Sequence, residues 1–451
     1  YPGSRYTLTE DGLLTGHALE MHTLGFSDDS QFMQSGGRAN FGSAGNVAGS
    51  DPQTFARLSL SGGCFQTPDL SLDNGSFVQT GGTNLVGLLQ LSPNDFTSGS
   101  YALSDGLLVS SNLTCGVGAG NEPPRAVFTQ TGGVHTNGSL TLTGTVRAGV
   151  ALPFGTYVLD GGLLVSGAEE VNLGGMSQAG GTNWVDTLSV SAGGTYDLSG
   201  GQVVSSNVWL ATAQVETVFN QAGGNHRILG LLSLDRLVTY SLSGGSLEVS
   251  NIEVDPGGQL LLTDGTVAQS GLCTINGGLI TVGTTELRLG QLSVTGSNTL
   301  FLTRPANSTI AFSPGAGSVR FRDSHEFPWT PPGLFIQSWN ATKGPDHLYV
   351  GSNSEGLTSS QLRLVTFLNP GGLPPGKYPA TILSNGELVP SPAGPPLRLM
   401  LQQGGLVLSW SGAYQLYSST NAAGPYTPIT ASSPYTNTLV DPQRFFRLDS
   451  P

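Results

Sequence analysis

A short signature that returns at near-constant spacing constrains this chain more than any other feature. One version reads FMQSGG from Phe32, FVQTGG from Phe77, FTQTGG from Phe128, MSQAGG from Met176 and FNQAGG from Phe219. A second reads YALSDG from Tyr101, YVLDGG from Tyr157, YDLSGG from Tyr196 and YSLSGG from Tyr240. From Phe77 to Tyr240 the two versions alternate, with a mean step of about 23 residues, the length of one solenoid turn.

The likeness runs deeper than the glycines. Two residues after the aromatic stand, in turn, Gln79, Leu103, Gln130, Leu159, Gln178, Leu198, Gln221 and Leu242. Seven residues after it stand Asn84, Leu108, His135, Leu164, Asn183, Val203, His226 and Leu247. The repeat is therefore a pair of rungs of two kinds. Aromatic-x-Gln/Leu is a period-two pattern that puts both residues on one side of a strand. Gly-Gly then permits a corner, because glycine accepts positive φ. Asn112, Asn207 and Asn251 suit a second corner, since asparagine tolerates the left-handed conformation. Like residues in stacked rungs form columns, and the Phe/Tyr column is expected to face inward. The Gln79, Gln130, Gln178 and Gln221 column either lies inside, bonded to spare backbone groups at the glycine corners, or forms a solvated ladder outside. The inward reading is favoured. The expected fold is all-β: a parallel β-solenoid over residues 1–303, of roughly 13 rungs and 60 Å, followed by a small antiparallel β domain.

Composition agrees. Glycine is 66 of 451 residues and charged residues only 10%, against an ordinary share of about 25%. Ser, Thr, Asn and Gln supply the polar surface instead, a mix that suits strands and turns. The net charge is −13, the only lysines are Lys343 and Lys377, and no basic cluster exists. Nucleic-acid binding and docking to anionic membranes are therefore not expected. No apolar run reaches the ~18 residues of a membrane span. The opening Tyr1-Pro2-Gly3 lacks the marks of a secretory signal, so an extracellular chain is read as one whose signal has been removed. Cys64, Cys115 and Cys273 make no disulfide framework; they allow one bridge, or three small buried thiols, the reading preferred.

Tyr6 and Leu8, then Leu13 and Leu14, already read as a tyrosine rung with no cap before it. Its bare strand edges make these residues candidates for assembly with another copy. After Ile280 the pattern decays, although Leu287 to Leu302 still alternates in the manner of strands. Residues 304–396 are richer in Pro and Trp. There LFIQSWNATKGPDHLYVGS from Leu334, GLTSSQLRLVTFLNPGG from Gly356 and GKYPATILSNGELVP from Gly376 resemble the terminal module of bacterial surface β-solenoids. Those proteins carry autotransporter-associated β-strand repeats, which the FxQxGG and YxLSGG rungs also resemble. The resemblance implies secretion and a β-solenoid, and no activity. Residues 397–451, with LRLMLQQ, GLVLSWSG and RFFRL, read as a last small β unit.

Chemistry is sparse. His135 and His226 share a column but lie four rungs apart, roughly 19 Å, too far to share a metal. His17 and His22 lack helical context, and His325-Glu326 lacks the second histidine of a zincin motif. His347 completes the set without a partner motif. Gly371 to Lys377 has the spacing of a phosphate-binding loop. Pro374 and Pro375 remove its N–H donors, and Tyr378 replaces the metal-binding hydroxyl. No cofactor, metal or nucleotide is expected. Polysaccharide-cleaving β-helices carry acidic clusters on one face. The candidates Glu169, Glu170, Asp186, Asp197, Asp235 and Glu248 do not recur in one column. The first expectation is thus a non-enzymatic extracellular structural protein that assembles head to tail with itself into a filament or surface layer. The alternative is an adhesin or glycan-binding solenoid, with Trp184, Trp209, Trp329, Trp339 and Trp410 available to stack on sugars.

Overall fold

The computed structural model describes residues 5–23, 30–49, 56–94, 97–116, 125–211, 215–282, 286–289, 291–295, 308–312, 317–331, 333–341, 345–391, 397–402, 405–410, 415–438 and 443–449. The chain is a β-solenoid with three strand-bearing faces. On the first face, parallel strands stack in unbroken register from Arg5–Leu8 to Val365–Leu368. One column runs Tyr6, Phe32, Leu58, Phe77, Tyr101, Phe128, Tyr157, Met176, Tyr196, Phe219, Tyr240, Leu260, Ile280, Ile310, Ile336 and Phe367. The sixteen rungs of that column give about 72 Å at the usual strand spacing, longer than the repeat alone suggests. Leu58 marks a rung whose signature is degenerate, and rungs continue beyond Ile280 with aliphatic residues in place of aromatics.

The second face runs from Leu13–Gly16 to His347–Val350 and the third from Glu20–Thr23 to Gln291–Thr295. A hairpin of Gly144–Arg147 and Val150–Pro153 is inserted between two rungs. The stretch after residue 303 is not a break in the stack: Ser308–Phe312, Ser318–Phe321, Leu334–Gln337 and Val365–Leu368 extend the same sheet. Residues 299–302, read as strand from their alternation, lie outside the described residues, as does Tyr1-Pro2-Gly3. The stack ends when Lys377–Ile382 pairs antiparallel with Val365–Leu368 and then with Leu388–Pro390. The Val350 N–H donates to Gly386 O, and His347 Nδ1 lies 2.5 Å from Glu387 Oε1. This hairpin takes up the backbone groups that a further parallel rung would use. Residues 397–449 add two small antiparallel sheets, Arg398–Gln402 with Gly405–Ser409 and Tyr435–Thr438, and Gln415–Ser419 with Thr427–Ile429 and Phe445–Asp449.

The core explains the signature. Every member of the column from Phe32 to Phe367 is buried, while Tyr6 at the first rung is 45% exposed. Phe77, Tyr101, Phe128 and Tyr157 stack with centroids 4.7, 4.9 and 4.5 Å apart, the spacing of the strands themselves. Where Leu58 interrupts the aromatics, Phe65 packs edge-on between Phe32 and Phe77 and fills the space. Gly-Gly turns the corner: Gly162 has φ +80°, and a Cβ there would lie 2.5 Å from the Gly133 carbonyl oxygen one rung below. The second corner differs from expectation. Asn112, Asn207 and Asn251 are absent from the left-handed positions. Their side chains serve the next rung instead: Asn207 Oδ1 accepts from Leu231 N, Asn251 Oδ1 from Leu272 N, and Asn112 Oδ1 from Ser139 Oγ.

Candidate functional site

Two features stand apart from apolar packing: a polar network inside the rod and a groove along its outside. The network accounts for the two-rung repeat. Gln79, Gln130, Gln178 and Gln221 are fully buried. Each Nε2 donates to two backbone carbonyls, as Gln79 does to Gly82 O at 3.3 Å and to Leu107 O of the next rung at 3.0 Å. Each Oε1 accepts from the tyrosine one rung on: Tyr101 to Gln79 at 2.5 Å, Tyr157 to Gln130 at 2.6 Å, and Tyr196 to Gln178 and Tyr240 to Gln221 at 2.7 Å each. The tyrosine oxygen in turn accepts from the residue seven places past the glutamine rung's aromatic, Asn84 Nδ2 at 2.9 Å or Asn183 Nδ2 at 3.2 Å. His135 and His226 take the same place, with Nδ1 3.1 and 2.9 Å from Tyr157 and Tyr240. One deviant rung shows the rule. Gln34 has Leu58 rather than a tyrosine beyond Phe32, and its Oε1 has no partner.

The geometry fixes the histidine tautomer. The single hydroxyl proton of Tyr157 goes to Gln130, so His135 Nδ1 carries a proton and donates. Burial pushes the imidazole down to about 3, so the ring is neutral and Nε2 accepts from Ser110 Oγ at 3.1 Å. Burial likewise raises the phenols of Tyr157, Tyr196 and Tyr240 well above their ordinary range. Asparagine and histidine interchange in this column because both offer an N–H at that point. His135→Asn should therefore cost less than about 1 kcal/mol, and His135→Leu about 1–3 kcal/mol. Equal losses for the two variants in denaturant titrations would refute the pairing.

The groove follows the bend between the second and third faces. One stretch of about 510 Å³ is lined by Val165, Ser166, Trp184, Asp186, Arg227 and Leu229. Arg227 and Leu229 also line the next stretch, with Glu248, Ala268 and Arg322, so the two are continuous. Along it one outward column reads Val165, Trp184, Val204, Arg227, Glu248 and Ala268, about 24 Å long. Trp184 is 54% exposed and Leu229 is 52% exposed. Arg227 Nε pairs with Glu248 at 3.5 Å.

The structure separates the other sequence candidates. Trp209 is exposed but on the third face, Trp339 is buried, and Trp329 and Trp410 are partly buried, so the tryptophans form no single platform. Asp186 and Glu248 line the groove three rungs apart, about 14 Å, beyond the 5–9.5 Å over which two carboxyls act on one glycosidic bond. Asp197 accepts from Asn220 on the first face, Asp235 lies at another corner, and Glu170 is exposed on the third face. Glu169 is in the core. Sequence reasoning grouped it with acidic candidates for an exposed face; its column partners Leu140 and Leu188 were the signal to the contrary. Cys64, Cys115 and Cys273 are free thiols, the latter two buried. Of the assembly candidates, Leu8 is buried and Leu14 packs against the core, while Leu13 is 69% exposed. Gly371 to Lys377 leads into a strand rather than a helix. Among the described residues no helix is long and apolar enough to cross a membrane. Comparison of the chain with protein-family models, with curated proteins and with solved structures finds no match.

Proposed function

We propose that this chain is an extracellular solenoid that binds an extended glycan along the groove between its second and third faces. The observation that carries this reading is Trp184, a large aromatic ring left half in solvent on a β-sheet surface, with Asp186, Arg227 and Ser206 beside it. An exposed aromatic face suits the apolar face of a sugar ring, and flanking polar groups suit its hydroxyls. The groove is open and runs with the rod axis, which fits a chain-like ligand rather than a compact one. Secretion is part of the reading through the likeness to surface β-solenoids. A glycan array, followed by titration of the best ligand, tests it. Trp184→Ala should weaken binding at least tenfold and leave thermal stability unchanged, since the ring lies outside the core. Binding unaffected by this change, or no glycan bound at all, would remove the reading.

A second reading is assembly of the rod with further copies of itself. It draws on two exposed apolar surfaces, Tyr6 with Leu13 on the first described rung, and Leu399, Met400 and Leu401 on an edge strand of the tail. Such a contact joins two different surfaces and propagates as a filament unless its rotation closes a ring. The double variant Leu13→Glu, Met400→Glu should sediment as a smaller species than the unaltered protein. Identical sedimentation of the two would exclude these surfaces as the joint.

A further inference from the structure

Unpartnered buried polar atoms gather at one place in the rod. Glu169 occupies a column that is otherwise apolar, with Leu113 and Leu140 before it and Leu188, Val208 and Leu232 after it. It is only 1% exposed. Its Oε2 accepts from Asn183 Nδ2 at 2.9 Å, while its Oε1 has no partner. Ser166, across the bend at Gly167, borders the carboxyl without closing a hydrogen bond. Asn183 Oδ1 is also unpartnered, and so are both amide atoms of Asn137, which stands in register with Ser166 one rung below. All four side chains are more than nine-tenths buried. The remaining unpartnered atoms among the described residues occur one to a residue.

Four side chains with unpartnered oxygens stand on three consecutive rungs here, and one of them can carry charge. Among the described residues the titratable groups that face the carboxyl are the phenols of Tyr157 and Tyr196, and no Arg, Lys or His is among them. A carboxylate in such surroundings needs a counter-charge or a proton. Hard cations take oxygen ligands; calcium sites draw on roughly six to eight of them with several carboxylates, and magnesium keeps several waters in a near-ideal octahedron. A single carboxylate with neutral oxygens matches a single positive charge. We propose that Glu169 Oε1, Ser166 Oγ, Asn183 Oδ1 and Asn137 Oδ1 form an internal site for one small monovalent cation of the sodium class. The ion is a structural part of the rod and competes with a proton for Glu169.

The test is thermal unfolding of the full chain in sodium chloride against choline chloride at equal ionic strength, near pH 8 and near pH 5. Sodium should raise the midpoint by several degrees near pH 8, in a saturable way, and much less near pH 5. Glu169→Gln should abolish the difference between the two salts. Asn137→Ala should reduce it, and serves if the Glu169 variant does not fold. Equal midpoints in sodium and choline near pH 8 would overturn the proposal, and so would an undiminished sodium response in the folded variants.

Discussion

Replacing Phe128 with alanine should destabilise the folded chain by about 3–5 kcal/mol, the usual cost of deleting a fully buried ring. Phe128 is wholly buried and stacks on Tyr101 on one side and Tyr157 on the other, with His135 against it at 5.0 Å. Parallel strands held by continuous register cannot close the gap, because the 4.5–4.9 Å ring spacing is set by the backbone ladder on either side. The void would also loosen Tyr157, whose hydroxyl positions Gln130. Because each rung touches only its neighbours, hydrogen exchange should show the loss first in the rungs around residue 128. A change below about 1 kcal/mol in equilibrium unfolding would mean that the column relaxes, contrary to its tight packing.

The second large effect concerns pH. Burial pushes the Glu169 carboxyl up to about 7 from its ordinary 4.5, with the hydrogen bond from Asn183 and the nearby Ser166 hydroxyl acting the other way. In sodium-free buffer the folded chain then keeps a proton that the unfolded chain releases. Stability from this group is intact below about pH 4.5, falls as pH rises, and is fully lost above about pH 7, a total of about 3 kcal/mol. Glu169→Gln should remove this slope, so the variant becomes the more stable protein near pH 8. The difference between the two proteins, followed by denaturant titration between about pH 5 and pH 8, isolates the group from other carboxyls. Parallel profiles would show that Glu169 ionises as freely in the fold as out of it.

Most of the architecture was legible because a solenoid writes its fold in columns. Phe77 to Tyr240 gave the rung length, the inward face and the first corner directly. Where columns carry unlike residues of like volume, legibility ends: Leu58, Leu260, Ile280, Ile310 and Ile336 fill the aromatic position, and apolar packing accepts them without leaving a signature. The alternation of Gln with Leu was visible, but its cause was not, since it lies in hydrogen bonds between rungs some 20 residues apart in sequence. The second corner was misread because the asparagines act through side chains on the following rung, not through their own backbone. The groove was invisible in sequence. It arises where the outward column of the second face meets the bend, and only register shows that Trp184 and Arg227 share it.

The glutamine–tyrosine pairing has a consequence for how such a rod can change its length. Excising one turn, for example the one that begins at Tyr157, would set Gln130 against Met176, and its amide oxygen would be stranded as that of Gln34 is beside Leu58. Excising two consecutive turns would instead bring a tyrosine back over the glutamine. Between Phe77 and Tyr240 the stack has a parity: insertions and deletions are tolerated in even numbers of turns and penalised in odd ones. Variation in length between descendants of such a chain should therefore come in steps of about two rungs, and designed extensions should be cut and joined at every second corner.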